Sequence, residues 1–146
     1  MRAIKYIAVH CTAGSQKATV NDLLAEFKRK GWKAPGYHYV ITADGKIHQL
    51  LDTEKVSNGV YVKGHSYNSV TVNIAYTGGM DGDNRTDEQK KSLVVLLKLL
   101  RKRYPDAVIQ GHRDFSPDLN GNGRIEKNEW IKMCPSFDAK TEYKDI

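Results

Sequence analysis

Hydrophobic residues recur along this chain with two different periods, and segments of the two kinds alternate. Runs rich in β-branched and aromatic residues, bounded by glycine or polar clusters, predict β-strands. The predicted strands cover residues 4–10, 36–41, 46–51, 70–76 and 107–110. Asp44-Gly45 separates the second strand from the third and predicts a hairpin turn there.

Two further segments place apolar residues at intervals of three and four, the spacing of one helical face. The first begins at Thr19, a capping residue, and ends at Gly31; its apolar stripe is Val20, Leu23, Leu24 and Phe27. The second begins at Thr86 and ends before Pro105. Helices that alternate with strands, together with one hairpin, predict an α/β fold. We expect a mixed central β-sheet flanked by helices, in a single domain covering residues 1–146.

The bulk properties of the chain agree with one globular domain. It has 146 residues with a hydrophobic content of 40%, enough to bury a core. No apolar run approaches the roughly 20 residues of a membrane-spanning helix, so we expect no membrane span. The first apolar run is too short for a signal peptide and lacks a cleavage site. We therefore expect a protein that is made in the cytoplasm and reaches any extracellular target after release. We also expect a monomer.

The net charge of +6 favours an acidic partner through long-range attraction. Nucleic acid, an anionic membrane surface and the bacterial cell wall all qualify. No recognisable nucleic-acid-binding motif is present, so we expect no nucleic-acid partner. The chain has only two cysteines, Cys11 and Cys134. One disulfide between them is an alternative, but metal binding or a free thiol is favoured in a chain without an export signal.

Three soft potential ligands stand at strand ends or in loops. His10 closes the first predicted strand, His112 follows the last, and Cys134 lies in the C-terminal loop. Two imidazoles and a thiolate are ligands that zinc prefers, and three protein ligands leave a fourth position open for water. Taken alone, each residue also has an ordinary interpretation, since a histidine at a strand end is more often structural. The pattern of the three residues together therefore predicts a zinc site.

Five blocks of sequence, in order and over nearly the whole chain, resemble the N-acetylmuramoyl-L-alanine amidases of the phage-lysozyme and peptidoglycan-recognition type. The blocks are Val9-His10-Cys11-Thr12-Ala13, residues 36–41, Asn68-Ser69-Val70 before a strand that ends at Gly78-Gly79, Gly111-His112-Arg113-Asp114, and residues 132–138. The resemblance implies a mixed sheet flanked by helices. It also implies hydrolysis of the amide between N-acetylmuramic acid and the L-alanine of the stem peptide, so the expected partner is peptidoglycan or a muropeptide.

The resemblance implies a role for each matching residue. His10, His112 and Cys134 fall on the zinc ligands, and Tyr37 and Lys132 fall on the catalytic tyrosine and lysine. A lysine ammonium and a tyrosine hydroxyl would stabilise the negative charge that grows on the carbonyl oxygen. No glutamate stands beside the ligands as in His-Glu-x-x-His proteases. We expect the metal-activated water to need no carboxylate base, with Tyr37 orienting it.

The loop before the third block departs from the family pattern. Family members often carry a histidine there, whereas Tyr61 stands near that place in this chain. His65 and Asn68 are candidates for substrate binding. An alternative function is a recognition module that binds muropeptide without cutting it. Such modules commonly lose the cysteine ligand, so the presence of Cys134 favours an enzyme, such as a phage or prophage endolysin that lyses cell walls.

Residues 118–129 match the twelve-residue calcium-binding loop position by position. Oxygen-bearing side chains occupy five of its ligand positions: Asp118, Asn120, Asn122, Glu126 and Glu129. Arg124 at the seventh place would contribute only its carbonyl, and Gly123 before it allows the sharp turn. A calcium ion here would hold His112 in place relative to the cysteine ligand. The alternative is an ion-free turn held by hydrogen bonds of the Asn and Asp side chains.

Calcium should raise the melting temperature of the protein if the loop binds the ion, because a ligand that binds only the folded state stabilises it. The measurement is thermal unfolding during a calcium titration of the chelator-treated protein. Magnesium serves as the control, since it prefers octahedral sites that retain several waters. A melting temperature that does not change with calcium would exclude the calcium interpretation.

Overall fold

The computed structural model describes residues 2–62, 64–123, 125–130 and 132–146. The strands are β1 (Tyr6–Cys11), β2 (Tyr39–Ile41), β3 (Ile47–Gln49), β4 (Thr71–Tyr76) and β5 (Val108–Gly111). The helices are α1 (Val20–Arg29), α2 (Asp87–Arg103) and α3 (Ala139–Glu142), with short 3-10 helices at Tyr67–Val70, His112–Phe115 and Lys127–Glu129. None of the described helices is long and apolar enough to cross a membrane.

The five strands form one sheet in the order β3-β2-β4-β1-β5. β1 pairs in parallel with both β4 and β5, β2 pairs in parallel with β4, and β3 is antiparallel to β2 through the predicted hairpin. The prediction of a mixed sheet flanked by helices is therefore confirmed. The carboxyl ends of β1 and β5, two parallel neighbours, lie at the same edge of the sheet.

The two faces of the sheet are covered by different parts of the chain. Helix α2 covers one face, where its buried leucines Leu93, Leu96, Leu97 and Leu100 pack in one cluster with Ile7, Val9, Val72 and Ile74. Each fully buried leucine contributes roughly 1.5–3 kcal/mol through the hydrophobic effect. On the opposite face, Ala8 packs against Val60, Val62 and Phe115, and α1 packs Leu23 and Phe27 against Val40 and Ala75.

Side-chain alternation along a strand decides what the second face carries. His10 of β1 and Asn73 of β4 alternate with residues that pack against α2. Their side chains therefore lie on the opposite face of the sheet, the face that carries Ala8. Both are buried, with exposed fractions of 1% and 0%. Two polar side chains on the two central strands are therefore sealed beneath the loop that follows β3.

Both long helices begin at the predicted residues, Thr19 and Thr86, and each of these forms a capping box. Leu24, which the predicted stripe of α1 included, is 41% exposed, because the helix buries only a narrow strip. The strand predicted to start at residue 36 begins at Tyr39, since Gly36 packs directly under Phe27, where a Cβ would stand 3.0 Å from the ring. Helix α3 was not predicted, although Asp138 caps its start.

Candidate metal centre and active site

Three predicted ligands converge at the carboxyl edge of the sheet. His10 lies in β1, and His112 begins the 3-10 helix that directly follows β5. Because β1 and β5 are parallel neighbours, both imidazoles emerge at one edge. Cys134 lies in the C-terminal loop. Its backbone carbonyl accepts a hydrogen bond from the backbone N–H of Arg113 at 2.9 Å. This bond ties the cysteine to the same edge.

The two imidazole nitrogens have the separation that a tetrahedral metal site requires. The Nδ1 atoms of His10 and His112 lie 3.2 Å apart. Two nitrogens bound to one zinc at 2.0–2.1 Å in tetrahedral geometry would stand about 3.3 Å apart. The ligand atoms of His10, His112 and Cys134 all lie within 4.8 Å of one another. The donor set and its spacing therefore fit zinc, with three protein ligands and one position remaining.

Electrostatics keep both imidazoles neutral, the form that binds metal. Burial lowers the pKa of His10 well below its usual value, and the neighbouring His112 lowers it further. Burial also lowers the pKa of His112 to about 4, with a smaller contribution from the ammonium of Lys132. Burial raises the pKa of the Cys134 thiol, and a bound cation would reverse that shift by favouring the thiolate.

The two cysteines are free thiols rather than a disulfide. The backbone N–H of Cys11 donates to the Cys134 sulfur at 3.0 Å. The following residue is held as well, because the Tyr76 hydroxyl donates to the Pro135 carbonyl at 2.7 Å. Gly111 is needed for this approach, since a Cβ there would stand 2.7 Å from the Pro135 ring. The sulfur is thus positioned by backbone contacts on both sides.

A groove with a volume of about 500 Å³ opens over the cluster, and both predicted catalytic residues line it. The Tyr37 ring centre lies 5.2 Å from that of His10, and its hydroxyl points to the Cys11 carbonyl at 3.5 Å. Burial raises the pKa of Tyr37, so the hydroxyl keeps its proton and acts as a donor. Lys132 is exposed at the rim. The rest of the lining includes Trp32, Asn58, Gly59 and Tyr61.

The two predicted substrate residues do not line this groove. His65 stacks on Tyr67, with ring centres 5.0 Å apart and nearly parallel planes. Asn68 points inward, and its Oδ1 accepts from the backbone N–H of Val60 at 2.8 Å. Tyr61, which is 79% exposed, lies in the groove lining instead. A substrate role for His65 and Asn68 stays a prediction.

Sequence reasoning missed Asn73, whose Oδ1 lies 2.8 Å from Nε2 of the ligand His10. A polar residue in the middle of a β-branched, fully buried strand was the signal available in the sequence. Asp114 lies two residues after the predicted ligand His112. Its Oδ2 accepts from the backbone N–H of Gly111 at 2.8 Å, as a turn cap does.

The loop at residues 118–129 uses its oxygens for hydrogen bonds within itself. A carboxylate oxygen of Asp118 accepts from the backbone N–H of Gly123 at 2.7 Å, and one of Glu129 accepts from that of Glu126 at 3.0 Å. Arg124 lies outside the described residues. These bonds are those of the ion-free alternative, and over the described part of the chain the only metal-type cluster is the His, His, Cys group. Calcium binding gains no support and stays a prediction.

The fold and this cluster together define a small α/β domain with a buried metal-type site at the edge of its sheet. A model of the family described as N-acetylmuramoyl-L-alanine amidase matches residues 1–126. The chain therefore belongs to this family, and the resemblance read from its five sequence blocks is confirmed.

Individual relatives agree with the family assignment. An endolysin of Enterobacteria phage K11 is 35% identical over 139 residues, which cover 90% of this chain and 80% of the relative. An uncharacterized protein of Haemophilus influenzae is 47% identical over 86 residues, 56% of this chain and 72% of the relative. Among solved structures, the Ph2119 endolysin from the Thermus scotoductus MAT2119 bacteriophage Ph2119 superposes with a TM-score of 0.73 at 25% identity, covering 93% of this chain and 79% of that one.

The buried neutral state of His112 should make the metal-free protein sensitive to acid. Its pKa is about 4 in the folded chain and about 6.5 in the unfolded chain. Between these values the unfolded chain binds more protons, so the free energy of unfolding should fall as the pH decreases from about 6.5 to about 4. We expect His112 to account for about 3 kcal/mol of this decrease.

Denaturant titrations of the metal-free protein and its His112→Gln variant over this pH range measure the effect. The variant should lose less stability on acidification, because glutamine does not titrate. His48→Gln is the matched control, since His48 lies in β3 and bonds Thr42. Parallel curves for the wild type and His112→Gln would show that the pKa of His112 is not depressed.

Proposed function

We propose that this protein is a zinc-dependent hydrolase that cleaves the amide between the lactyl group of N-acetylmuramic acid and the L-alanine of the stem peptide. The observation that carries the proposal is the convergence of His10, His112 and Cys134 within 4.8 Å, beneath a groove lined by Tyr37 and Lys132. These five residues match the ligands and catalytic residues that the family resemblance implies.

The ligand set suits a catalytic rather than a purely structural zinc, because structural sites are closed by four protein ligands. When bound, a zinc ion lowers the pKa of a water molecule to about 7 and polarises a carbonyl. The protein supplies two neutral imidazoles and one thiolate, which leave about one positive charge on the site. The two histidines are buried, and the lower dielectric of their surroundings strengthens the electrostatic interactions there.

Tyr37 and Lys132 would act on the amide that enters the groove. As the nucleophile adds, negative charge grows on the carbonyl oxygen of the substrate. The protonated hydroxyl of Tyr37 can donate a hydrogen bond to that oxygen or orient the attacking water. The ammonium of Lys132 is an exposed cation at the rim, and it stabilises the same charge. Among the described residues that line the groove, Glu26 is the only carboxylate, and it forms a salt bridge with Lys30 at 3.3 Å.

The shape and charge of the molecule suit a polymeric cell-wall substrate. The groove is open at the surface and rimmed by Trp32 and Tyr61, which offer apolar contact area to a glycan or peptide. The net charge of +6 attracts an anionic wall. Relatives named endolysin support a role in lysis, with the protein acting on the wall after release from the cytoplasm.

The second candidate is a recognition module that binds muropeptide without hydrolysis. Binding alone needs neither a complete ligand set nor a proton donor in the groove. The presence of Cys134 beside both histidines, with Tyr37 and Lys132 above them, favours the enzyme. Affinity for muropeptide without turnover by the zinc-loaded protein would favour the module.

Purified protein should contain about one zinc per chain. It should release from peptidoglycan stem peptides that begin with L-alanine. A chelator should abolish the cleavage, and added zinc should restore it, because three protein ligands leave the ion exchangeable. The measurements are metal content by elemental analysis and product analysis by mass spectrometry. Cys134→Ser should lose zinc and activity together, whereas the matched control His48→Gln should retain both. Full activity of chelated protein would contradict the proposal.

Tyr37→Phe and Lys132→Met should bind zinc normally but lower kcat/KM. Removal of one donor to a developing oxyanion typically costs about 2.7–4 kcal/mol of transition-state stabilisation, which is about 10²–10³ in rate. Steady-state kinetics on a soluble muropeptide, with zinc content measured in parallel, test this. Lys98→Met, an exposed lysine of α2, is the control for the loss of one charge. If a variant retains both zinc and the full rate, the residue that was replaced does not stabilise the transition state.

A further inference from the structure

A chain of buried polar groups lies directly beneath the ligand His10. Asn73, Ser57 and His38 are each 0% exposed. Asn73 Oδ1 lies 2.8 Å from His10 Nε2, and Asn73 Nδ2 lies 2.6 Å from Ser57 Oγ. Buried polar groups carry a free-energy cost unless they are hydrogen-bonded. Each donor in this row of buried groups must therefore face an acceptor.

The orientation of the Asn73 amide follows from a group whose role is unambiguous. The backbone N–H of Val60 can only donate, and it donates to Asn68 Oδ1 at 2.8 Å. That atom is therefore an acceptor. Asn73 faces it at 3.4 Å with the same end of the amide that faces Ser57. This end must be the donor Nδ2, because an oxygen there would oppose another oxygen.

The remaining contacts agree with this orientation. The backbone N–H of Asn73 donates to His38 Nδ1 at 3.0 Å, so this nitrogen is an acceptor. The Ser57 hydroxyl, 3.3 Å away, can donate to it and accept from Asn73 Nδ2. His38 then carries its proton on Nε2, which donates to the Lys55 carbonyl at 2.7 Å. Arg2 Nη2 lies 3.2 Å from the same Nε2, but it donates to the Thr53 carbonyl at 2.7 Å.

The consequence for the metal centre follows directly. With Nδ2 facing Ser57 and Asn68, the oxygen of Asn73 faces His10. His10 Nε2 must then carry a proton and donate it, which leaves the lone pair of Nδ1 free. That Nδ1 is the atom that lies 3.2 Å from the Nδ1 of His112. The ring is thus held in the one tautomer that presents a ligand nitrogen to the cluster.

We propose that Asn73 is a positioning residue that holds His10 in the Nε2-protonated tautomer and aims its Nδ1 at the metal, and that Ser57 and Asn68 hold Asn73 in turn. This inference rests on the proposed zinc site. It also gives Asn68 a positioning role from within the loop. Gly59 closes the arrangement, because a Cβ there would stand 2.5 Å from Asn73 Cγ. Asn73 therefore contacts both the loop that lines the groove and the ligand His10 beneath it.

Zinc affinity, measured by competition with a chelator of known affinity, tests the proposal. Asn73→Ala removes the acceptor and should weaken zinc binding about 10–100-fold, the usual effect of losing a group that orients a ligand. Asn73→Asp keeps an oxygen facing His10 and should bind zinc more tightly than Asn73→Ala. Asn21→Ala, an exposed asparagine of α1, is the matched control and should bind like the wild type. Wild-type affinity in Asn73→Ala would overturn the proposal.

Nitrogen NMR of the histidine rings tests the tautomer without any substitution, so the proposal stays falsifiable if Asn73→Ala fails to fold. In both the metal-free and the zinc-loaded wild type, His10 Nε2 should show the shift of a protonated ring nitrogen. A proton on Nδ1 in the metal-free protein would overturn the assignment. These readouts are separate from hydrolysis, so a protein that binds zinc as described but cuts no peptidoglycan would contradict only the proposed function.

Discussion

The structure depends on keeping two uncharged imidazoles and a thiol within 4.8 Å of one another inside the protein. An imidazole carries two polar ring nitrogens, and burying it carries a free-energy cost unless those nitrogens find hydrogen-bond partners. Here the cost is offset locally: His10 bonds Asn73, and the sulfur of Cys134 accepts from the backbone of Cys11. Burial in turn lowers the pKa of both histidines. The same desolvation that is unfavourable for folding therefore keeps both imidazoles in the neutral form that can bind a metal.

The parallel pairing of β1 with β5 brings these groups together. Parallel neighbours bring their carboxyl ends to one edge, and ligands in open α/β sheets commonly bind at such edges. One face of the sheet is filled by the leucines of α2 and provides stability. The opposite face carries His10 and Asn73 and is covered by the loop that also lines the groove. Stability and chemistry are thus separated between the two faces, which lets the polar face depart from ordinary core composition.

Much of this organisation can be predicted from the sequence, because it depends on residues that are close together in the chain. The capping boxes at Thr19 and Thr86, the hairpin at Asp44-Gly45 and the β-branched runs each act within a few residues, and all appear in the structure. The three predicted ligands could be named because their residue types and the surrounding blocks are specific. The exceptions depend on tertiary packing. Leu24 is exposed and β2 is short, since burial at those positions depends on what packs opposite.

The sequence by itself determined the five strands and two long helices of this protein, the family to which it belongs and the candidate ligands. Only the tertiary structure decided which nitrogen of His10 faces the cluster, which loop residues line the groove and which turn inward. Those choices depend on hydrogen bonds between residues far apart in the chain, such as the contact of Asn73 with His10, 63 positions away. Sequence periodicity reports the face on which a side chain lies. It carries no information about the partner that a buried polar group will find there, because that partner is set by how distant segments pack.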